Sequence, residues 1–220
     1  MIIAIDGPSG AGKSTLGKML AKKLDLLYLD TGAMYRAVGL AVLLGEVHSR
    51  DREEIIEIAK DSEIELRGKP DRQKVLLNGL DVTDEIRTNE VGQMASVVST
   101  IPEVRKDLVS RQRALGKSAK NGAVLDGRDV GTVVFPKAKF KFFLTAKPEA
   151  RARRRYDEDK EKGRKVTLEK TLTEINNRDE RDAARKDSPL TTAKDAVVID
   201  TSKMDANQVL EKMLETIKGS

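Results

Sequence analysis

The chain has 220 residues, with 41 Lys and Arg against 36 Asp and Glu and a net charge of +5. That length suits one domain, or one domain with a lobe inserted. Hydrophobic residues make up 39% and charged ones 35%, the balance of a soluble protein with a strongly charged surface. No run approaches the ~18 consecutive apolar residues of a membrane span. With no Cys and a single His, His48, disulfides, thiolate metal sites, cysteine nucleophiles and His-pair zinc sites are excluded. The expected location is the cytoplasm. Met1-Ile2-Ile3-Ala4-Ile5-Asp6 reaches an acid and then Gly7 too early for a signal peptide, and the missing Cys is compatible with a reducing compartment. The basic excess invites a nucleic-acid reading, but it is modest for this length, so small anions are the expected partners.

Five short apolar runs bounded by turn residues read as buried strands: Ile2–Asp6, Leu26–Asp30, Ala123–Asp126, Phe140–Thr145 and Ala196–Asp200. Continuous hydrophobicity, rather than alternation, predicts a parallel sheet covered on both faces. Helical spacing appears in Leu16, Met19, Leu20 and Leu24, and again in Val209, Leu210, Met213, Leu214 and Ile217. Thr100-Ile-Pro-Glu103 resembles a capping box ahead of Val104, Leu108 and Leu115. Strands alternating with helices predict an α/β doubly wound fold whose ligand crevice lies at the carboxyl ends of the strands. Residues 61–99 break the rhythm, because Glu63–Arg67 and Lys74–Asn78, joined by Gly68-Lys69-Pro70-Asp71, suit a hairpin in a small inserted lobe. Lys147–Asp187 is dense in mixed charge, as expected of solvated helices carrying i,i+4 pairs.

Gly7-Pro8-Ser9-Gly10-Ala11-Gly12-Lys13-Ser14, followed by Thr15, matches G-x-x-x-x-G-K-[ST]. It follows a strand and opens a helix, as the chemistry requires. Its glycines let backbone N–H groups converge on phosphate oxygens, and the helix N-terminus adds partial positive charge. Lys13 then bridges the β- and γ-phosphates of a nucleoside triphosphate, and Ser14 ligates Mg²⁺. Two further strand ends carry an Arg beside Gly and Asp: Asp30-Thr31-Gly32-Ala33-Met34-Tyr35-Arg36 and Asp126-Gly127-Arg128-Asp129-Val130-Gly131-Thr132. Arg178, Asp182 and Arg185 form one helical stripe, downstream of Arg151, Arg153, Arg154 and Arg155. Arg suits phosphate clamping and transition-state charge better than Lys does, so a second phosphorylated substrate is expected opposite the triphosphate.

IDGPSGAGKST, LDTGAMYR, EIRTNEV…ASVVS…PEVR, LDGRDVGTVVFP and NRDERDAARKDSPL, in this order over nearly the whole chain, resemble the bacterial cytidylate kinases. The resemblance implies a five-stranded parallel P-loop core over 1–60 and 100–220, a monophosphate-binding lobe over 61–99 and a mobile lid near 148–165. It implies transfer of the ATP γ-phosphoryl group to CMP or dCMP with Mg²⁺, in a chain that is monomeric. It assigns the acceptor phosphate to Arg36, Arg128 and Arg178, the ribose hydroxyl to Asp182, and the cytosine to Ser96, Arg105, Asp129 and Arg185. Thr31 stands where Ser is also familiar, which preserves a hydroxyl. The acceptor is itself a nucleophile, since its phosphate has a second pKa near ~6, so no general base is needed. One of Arg153, Arg154 and Arg155 is expected to reach the transferring group. A GTP-binding switch is disfavoured because N-K-x-D is absent and DGRDVG lies too late. A nucleic-acid platform is disfavoured because only Tyr156 interrupts the arginine-rich run.

Overall fold

A computed structural model describes residues 1–161, 163–185 and 188–219. Five parallel strands form the core sheet: β1 (Ile2–Asp6), β2 (Leu27–Asp30), β6 (Ala123–Gly127), β7 (Phe140–Thr145) and β8 (Val197–Asp200), in the order β2-β6-β1-β7-β8. The strand reading from apolar runs holds, with shifts of a residue at three ends.

Both faces of this sheet are covered. On one, Ile3, Ile5, Tyr28, Val124 and Phe142 pack against α1 (Lys13–Leu24) and α8 (Ala206–Lys218). On the other, Ala4, Leu29, Ala123 and Leu125 meet α5 (Pro102–Ser118) and the turn at Val130–Val134. Alternate residues of one strand therefore serve two cores, and this is why β1, β2 and β6 stay apolar until the acid near their carboxyl ends.

Local signals fix several helix ends. Asp30 accepts a hydrogen bond from the Ala33 N–H and so caps α2 (Thr31–Leu44), which starts directly at the end of β2. Thr88 caps α4 (Asn89–Val98), Thr167 caps α7 (Leu168–Ala183), and Asp205 with Gln208 forms a reciprocal box at α8. The box expected at Thr100 and Glu103 does not form. Pro102 occupies the first helical position, which makes Ile101 the cap residue. Thr100 Oγ1 instead donates to the Val97 carbonyl, and Glu103 pairs with Arg52 of α3 (Arg52–Asp61).

Residues 61–99 hold a small antiparallel sheet, β3 (Ile64–Arg67), β4 (Lys74–Leu77) and β5 (Leu80–Asp81). The expected hairpin is present and gains a third strand through the tight turn at Asn78-Gly79, both at positive φ. Val75, Leu77 and Val82 pack on Ala37 and Leu40 of α2. Gln73 Nε2 donates to the Tyr28 carbonyl at 2.6 Å, which covers part of the open edge of β2. Helices α6 (Pro148–Glu161) and α7 pack together and complete the rim of the cleft. Among the described residues, no helix is long and apolar enough to cross a membrane.

Gly7 ties the cleft to the core. It sits at φ 146°, and a Cβ there would lie 2.0 Å from the Leu144 carbonyl oxygen of β7. Gly7→Ala is expected to cost roughly 1–3 kcal/mol or more of stability in urea unfolding; an unchanged midpoint would contradict this packing.

Candidate active site

Beyond β1 the chain turns through Gly10 and Gly12, at φ 75° and 91°, left-handed conformations that glycine adopts without strain. The loop thus delivers free N–H groups to the start of α1, where the helix dipole favours an anion. Lys13 is buried, and its Nζ donates to the Pro8 carbonyl at 2.7 Å. Burial and the neighbouring Arg128 guanidinium hold its ammonium well below the usual lysine range. Ser14 Oγ donates to Asp126 Oδ2 at 2.7 Å, and the Tyr28 hydroxyl donates to Oδ1 at 2.9 Å. Burial, reinforced by the Asp30 carboxylate, pushes Asp126 up to about 6.

A cavity of about 680 Å³ opens from this cradle. Arg36, Arg128, Arg155 and Arg178 line it, with Gln73 and Arg87 from the inserted region and Thr201, Met204 and Ala206 after β8. Arg36 Nη1 donates to the carbonyls of Ile86 at 2.7 Å and Thr88 at 3.3 Å. Burial and the guanidiniums of Arg178 and Arg87 bring Arg36 down to about 9, while burial and Arg128 bring Arg178 down to about 10. Arg128 Nε donates to Asp182 Oδ2 at 2.7 Å, and Arg185 bonds the other oxygen. Burial would raise the Asp182 carboxyl, but Arg128, Arg185 and Arg178 together hold it below the ordinary carboxylate range. Arg87 pairs with Asp30 at 3.0 Å. Among the described residues, Arg36 and Arg178 have no carboxylate at ion-pair distance.

Arg128, Arg178 and Asp182 also wall a smaller recess, together with Thr31, Tyr35, Ser96, Arg105, Asp129 and Arg185. Arg105 and Asp129 form a buried pair, and the Arg105 guanidinium lies 5.6 Å from the Tyr35 ring centroid. Tyr35 Oη, Ser96 Oγ, Arg178 Nε and Arg185 Nε are buried there with no hydrogen-bond partner among the described residues. An unpaired buried donor or acceptor costs about 1–3 kcal/mol, a cost that polar atoms entering the recess would relieve.

A family model described as cytidylate kinase matches residues 3–219. The cytidylate kinase of Caldanaerobacter subterraneus subsp. tengcongensis is 52% identical over 98% of this chain and 94% of its own length. That of Bacillus subtilis is 46% identical over 98% and 96% respectively. This chain belongs to the cytidylate kinase family. Membership makes it an ATP-dependent nucleoside monophosphate kinase acting on CMP or dCMP. At the level of fold alone, it resembles an uncharacterized protein from Eubacterium ventriosum (TM-score 0.53, 14% identity, covering 100% of this chain and 99% of that one). A shikimate kinase from Bacteroides thetaiotaomicron compares at TM-score 0.50 and 13% identity, covering 99% and 98%.

In this cytidylate kinase the residues singled out from sequence mostly converge. Ser9, Gly10, Ala11, Gly12, Lys13, Ser14 and Thr15 line the cavity, with Gly7 and Pro8 buried beneath them. Arg36, Arg128 and Arg178 line the same cavity. Thr31, Ser96, Arg105, Asp129, Asp182 and Arg185 gather in the recess, where Thr31 Oγ1 donates to the Asp126 carbonyl at 2.7 Å. The three consecutive arginines of α6 separate. Arg155 lines the cavity with Nε 3.2 Å from Asp159 Oδ2. Arg154 lines it while bonded to Thr201 Oγ1 at 3.0 Å and to the Thr201 carbonyl. Arg153 is exposed and outside both. His48 is exposed, as expected.

Among the residues of this site that were not assigned from sequence, four make contacts that shape it. Asp126 is in a quoted motif, at a strand end facing the P-loop hydroxyl, so its position carried a readable signal. Tyr28 carried none, and Arg87, though it lies within EIRTNEV, gave no sign of its pairing with Asp30, because only the meeting of distant segments brings them in. Arg151, four residues before Arg155, gave a helical-spacing hint. It is buried, donating to the Ser9 carbonyl at 3.0 Å and to Asp179 at 2.5 Å, which ties α6 and α7 to the phosphate loop.

Removing Asp182 would leave Arg128 and Arg185 buried without their shared anion. Asp182→Ala is expected to cost about 3–5 kcal/mol at neutral pH. Because its folded pKa is depressed, this contribution is present above the unfolded value of about 3.9 and is lost as pH falls through the folded one. Urea unfolding at pH 7 checks this, and a loss below about 1 kcal/mol would contradict the pairing.

Proposed function

We propose that this cytidylate kinase transfers the γ-phosphoryl group of ATP directly and in line to the phosphate of CMP or dCMP, yielding ADP and CDP or dCDP. One observation carries the reading. The phosphate loop lines one continuous cavity with Arg36 and Arg178, two guanidiniums that have no carboxylate partner among the described residues, and this cavity adjoins a recess of polar atoms unsatisfied among the same residues.

The triphosphate lies on the N–H groups of the P-loop, with Lys13 exchanging its contact with the Pro8 carbonyl for the β- and γ-phosphates. The donor base takes the end of the cavity lined by Thr201, Met204 and Ala206. The acceptor phosphate replaces the missing anion between Arg36, Arg128 and Arg178. Asp182 meets the ribose hydroxyl, and the cytosine enters the recess of Ser96, Arg105, Asp129 and Arg185. Residues 61–99 serve as the acceptor lobe, and 148–165 as the lid over the 1–60 and 100–220 core.

Mg²⁺ fits beside Ser14 and Asp126. A hydroxyl and a carboxylate 2.7 Å apart offer hard oxygen donors, and a carboxylate raised to about 6 by burial and by Asp30 is one that a nearby cation relieves. When bound, the ion supplies neutralisation of charge on the donor phosphates. Two polyanions repel each other, and the chain's own cations offset that repulsion and hold the reacting oxygens in line.

No general base is needed, since the acceptor oxygen is already anionic at neutral pH. Arg155, on the cavity wall, supplies transition-state charge when the lid closes over both nucleotides. Such an arginine is worth roughly 10³–10⁵ in rate in related systems. Closure also excludes water, a competing acceptor. The proposed unit is a monomer whose partners are ATP and the monophosphate, with no nucleic acid. The cytoplasm, where both substrates occur, is its proposed location.

Steady-state transfer from ATP to CMP, dCMP, UMP, AMP and dTMP, with Lys13→Ala as the blank, tests this reading. CMP or dCMP is expected to give the highest kcat/KM, and ATP hydrolysis without acceptor is expected to be far slower. Arg185→Ala is expected to raise KM for CMP and leave KM for ATP unchanged. Comparable hydrolysis and transfer rates, or a better acceptor among the other bases, would overturn it.

A further inference from the structure

Asp6 is buried at 4% exposure, at the last position of β1 and directly before the phosphate loop. Neither recess nor cavity is lined by it, and no ion pair holds it among the described residues. A buried carboxylate without a cationic partner is costly unless its oxygens are hydrogen-bonded.

Its two oxygens are both committed to one segment. The Val130 N–H donates to Oδ1 at 2.8 Å and the Gly131 N–H donates to Oδ2 at 2.7 Å. These N–H groups begin the π-type turn Val130–Val134. The opening N–H groups of any helical turn lack partners within it. The turn's own bonds run back to Asp129, whose carbonyl accepts from the N–H groups of Val133 at 2.8 Å and Val134 at 3.1 Å. Asp129 is thus the pivot, fixed from one side by the turn and from the other by Asp6 through the next two residues. Burial pushes the Asp6 carboxyl up to about 6 against the lowering effect of both N–H groups, so the pair of bonds is kept at the expense of a poorly solvated charge.

We propose that Asp6 is a positioning residue for acceptor-base discrimination, holding the Val130–Gly131 backbone so that Asp129 keeps its aim at Arg105 and the nucleobase. The inference rests on the reading of the recess as the cytosine site. Only a carboxylate accepts both N–H groups at once. An asparagine accepts one through Oδ1 and turns its amide N–H atoms on the other. Asp6→Glu keeps the charge but not the fit, because the extra methylene shifts the carboxylate at a buried position.

The test is a kinetic double-mutant cycle of Asp6→Asn and Asp129→Ala on the full chain, read with CMP, UMP and ATP as varied substrates. Asp6→Asn is expected to raise KM for CMP about tenfold and to reduce the preference for CMP over UMP by a similar factor, with KM for ATP within about twofold. In the Asp129→Ala background, Asp6→Asn is expected to add little, because both act through the same group. Full additivity, or equal effects on KM for ATP and CMP, would mark Asp6 as a general structural support and overturn the inference. If Asp129→Ala moves CMP selectivity while Asp6→Asn does not, this inference alone fails. If Asp129→Ala leaves CMP selectivity untouched, the base-site reading fails and takes this with it. Should Asp6→Asn not fold, Gly131→Ala disturbs the same contact from the other side, since its Cβ would lie 3.2 Å from Asp6 Oδ2. The same selective loss toward CMP is expected from it, and an unchanged CMP-to-UMP preference would overturn the inference.

Discussion

Buried positive charge is the constraint around which this molecule is organised. Guanidiniums drawn from six separate segments meet at one edge of a parallel sheet, where solvent screens them poorly. Most are matched by carboxylates: Arg87 by Asp30, Arg105 by Asp129, Arg128 and Arg185 by Asp182, Arg151 by Asp179. Among the described residues Arg36 and Arg178 are not matched, and burial and neighbouring cations depress their proton affinities to about 9 and about 10. The imbalance is local, and it lies beside the loop built to hold phosphates. A second phosphate is the group whose charge and shape answer it.

The fold supplies this cluster by bringing the carboxyl ends of β1, β2 and β6 side by side. Each strand leaves the sheet into a different functional segment: the phosphate loop, the capped start of α2 and the Gly127–Gly131 turn. Asp30 shows how closely architecture and site are joined. One of its oxygens caps α2, and the other holds Arg87 in the cavity wall. Arg151 plays a comparable part for α6 and α7, because it fastens them to the Ser9 carbonyl and to Asp179. The helix that carries Arg154 and Arg155 to the cavity wall is thereby tethered to the phosphate loop.

Much of this was legible in the chain itself, for identifiable reasons. The core strands stand out because both faces of a parallel sheet are covered, which leaves Ile3, Ala4 and Ile5 all apolar. The phosphate loop stands out because backbone N–H groups can converge only where glycine is allowed. The capping box misled because Pro102 seizes the first helical position, and that preference outweighs the Thr100–Glu103 pairing. Arg153, Arg154 and Arg155 could not be told apart, since consecutive helical residues point about 100° apart and only the seating of α6 on α7 decides which faces the cleft. Tyr28, Arg87 and the clamp by Asp6 depend on segments far apart in sequence becoming neighbours, and no local pattern announces that.

A crystal structure with CMP and a non-hydrolysable ATP analogue would locate the acceptor phosphate. It is expected within hydrogen-bonding distance of both Arg36 and Arg178, with Arg36 drawn off the Ile86 carbonyl to reach it. An acceptor phosphate bound elsewhere, with Arg36 still on that carbonyl and Arg178 still lacking an anion, would contradict this placement.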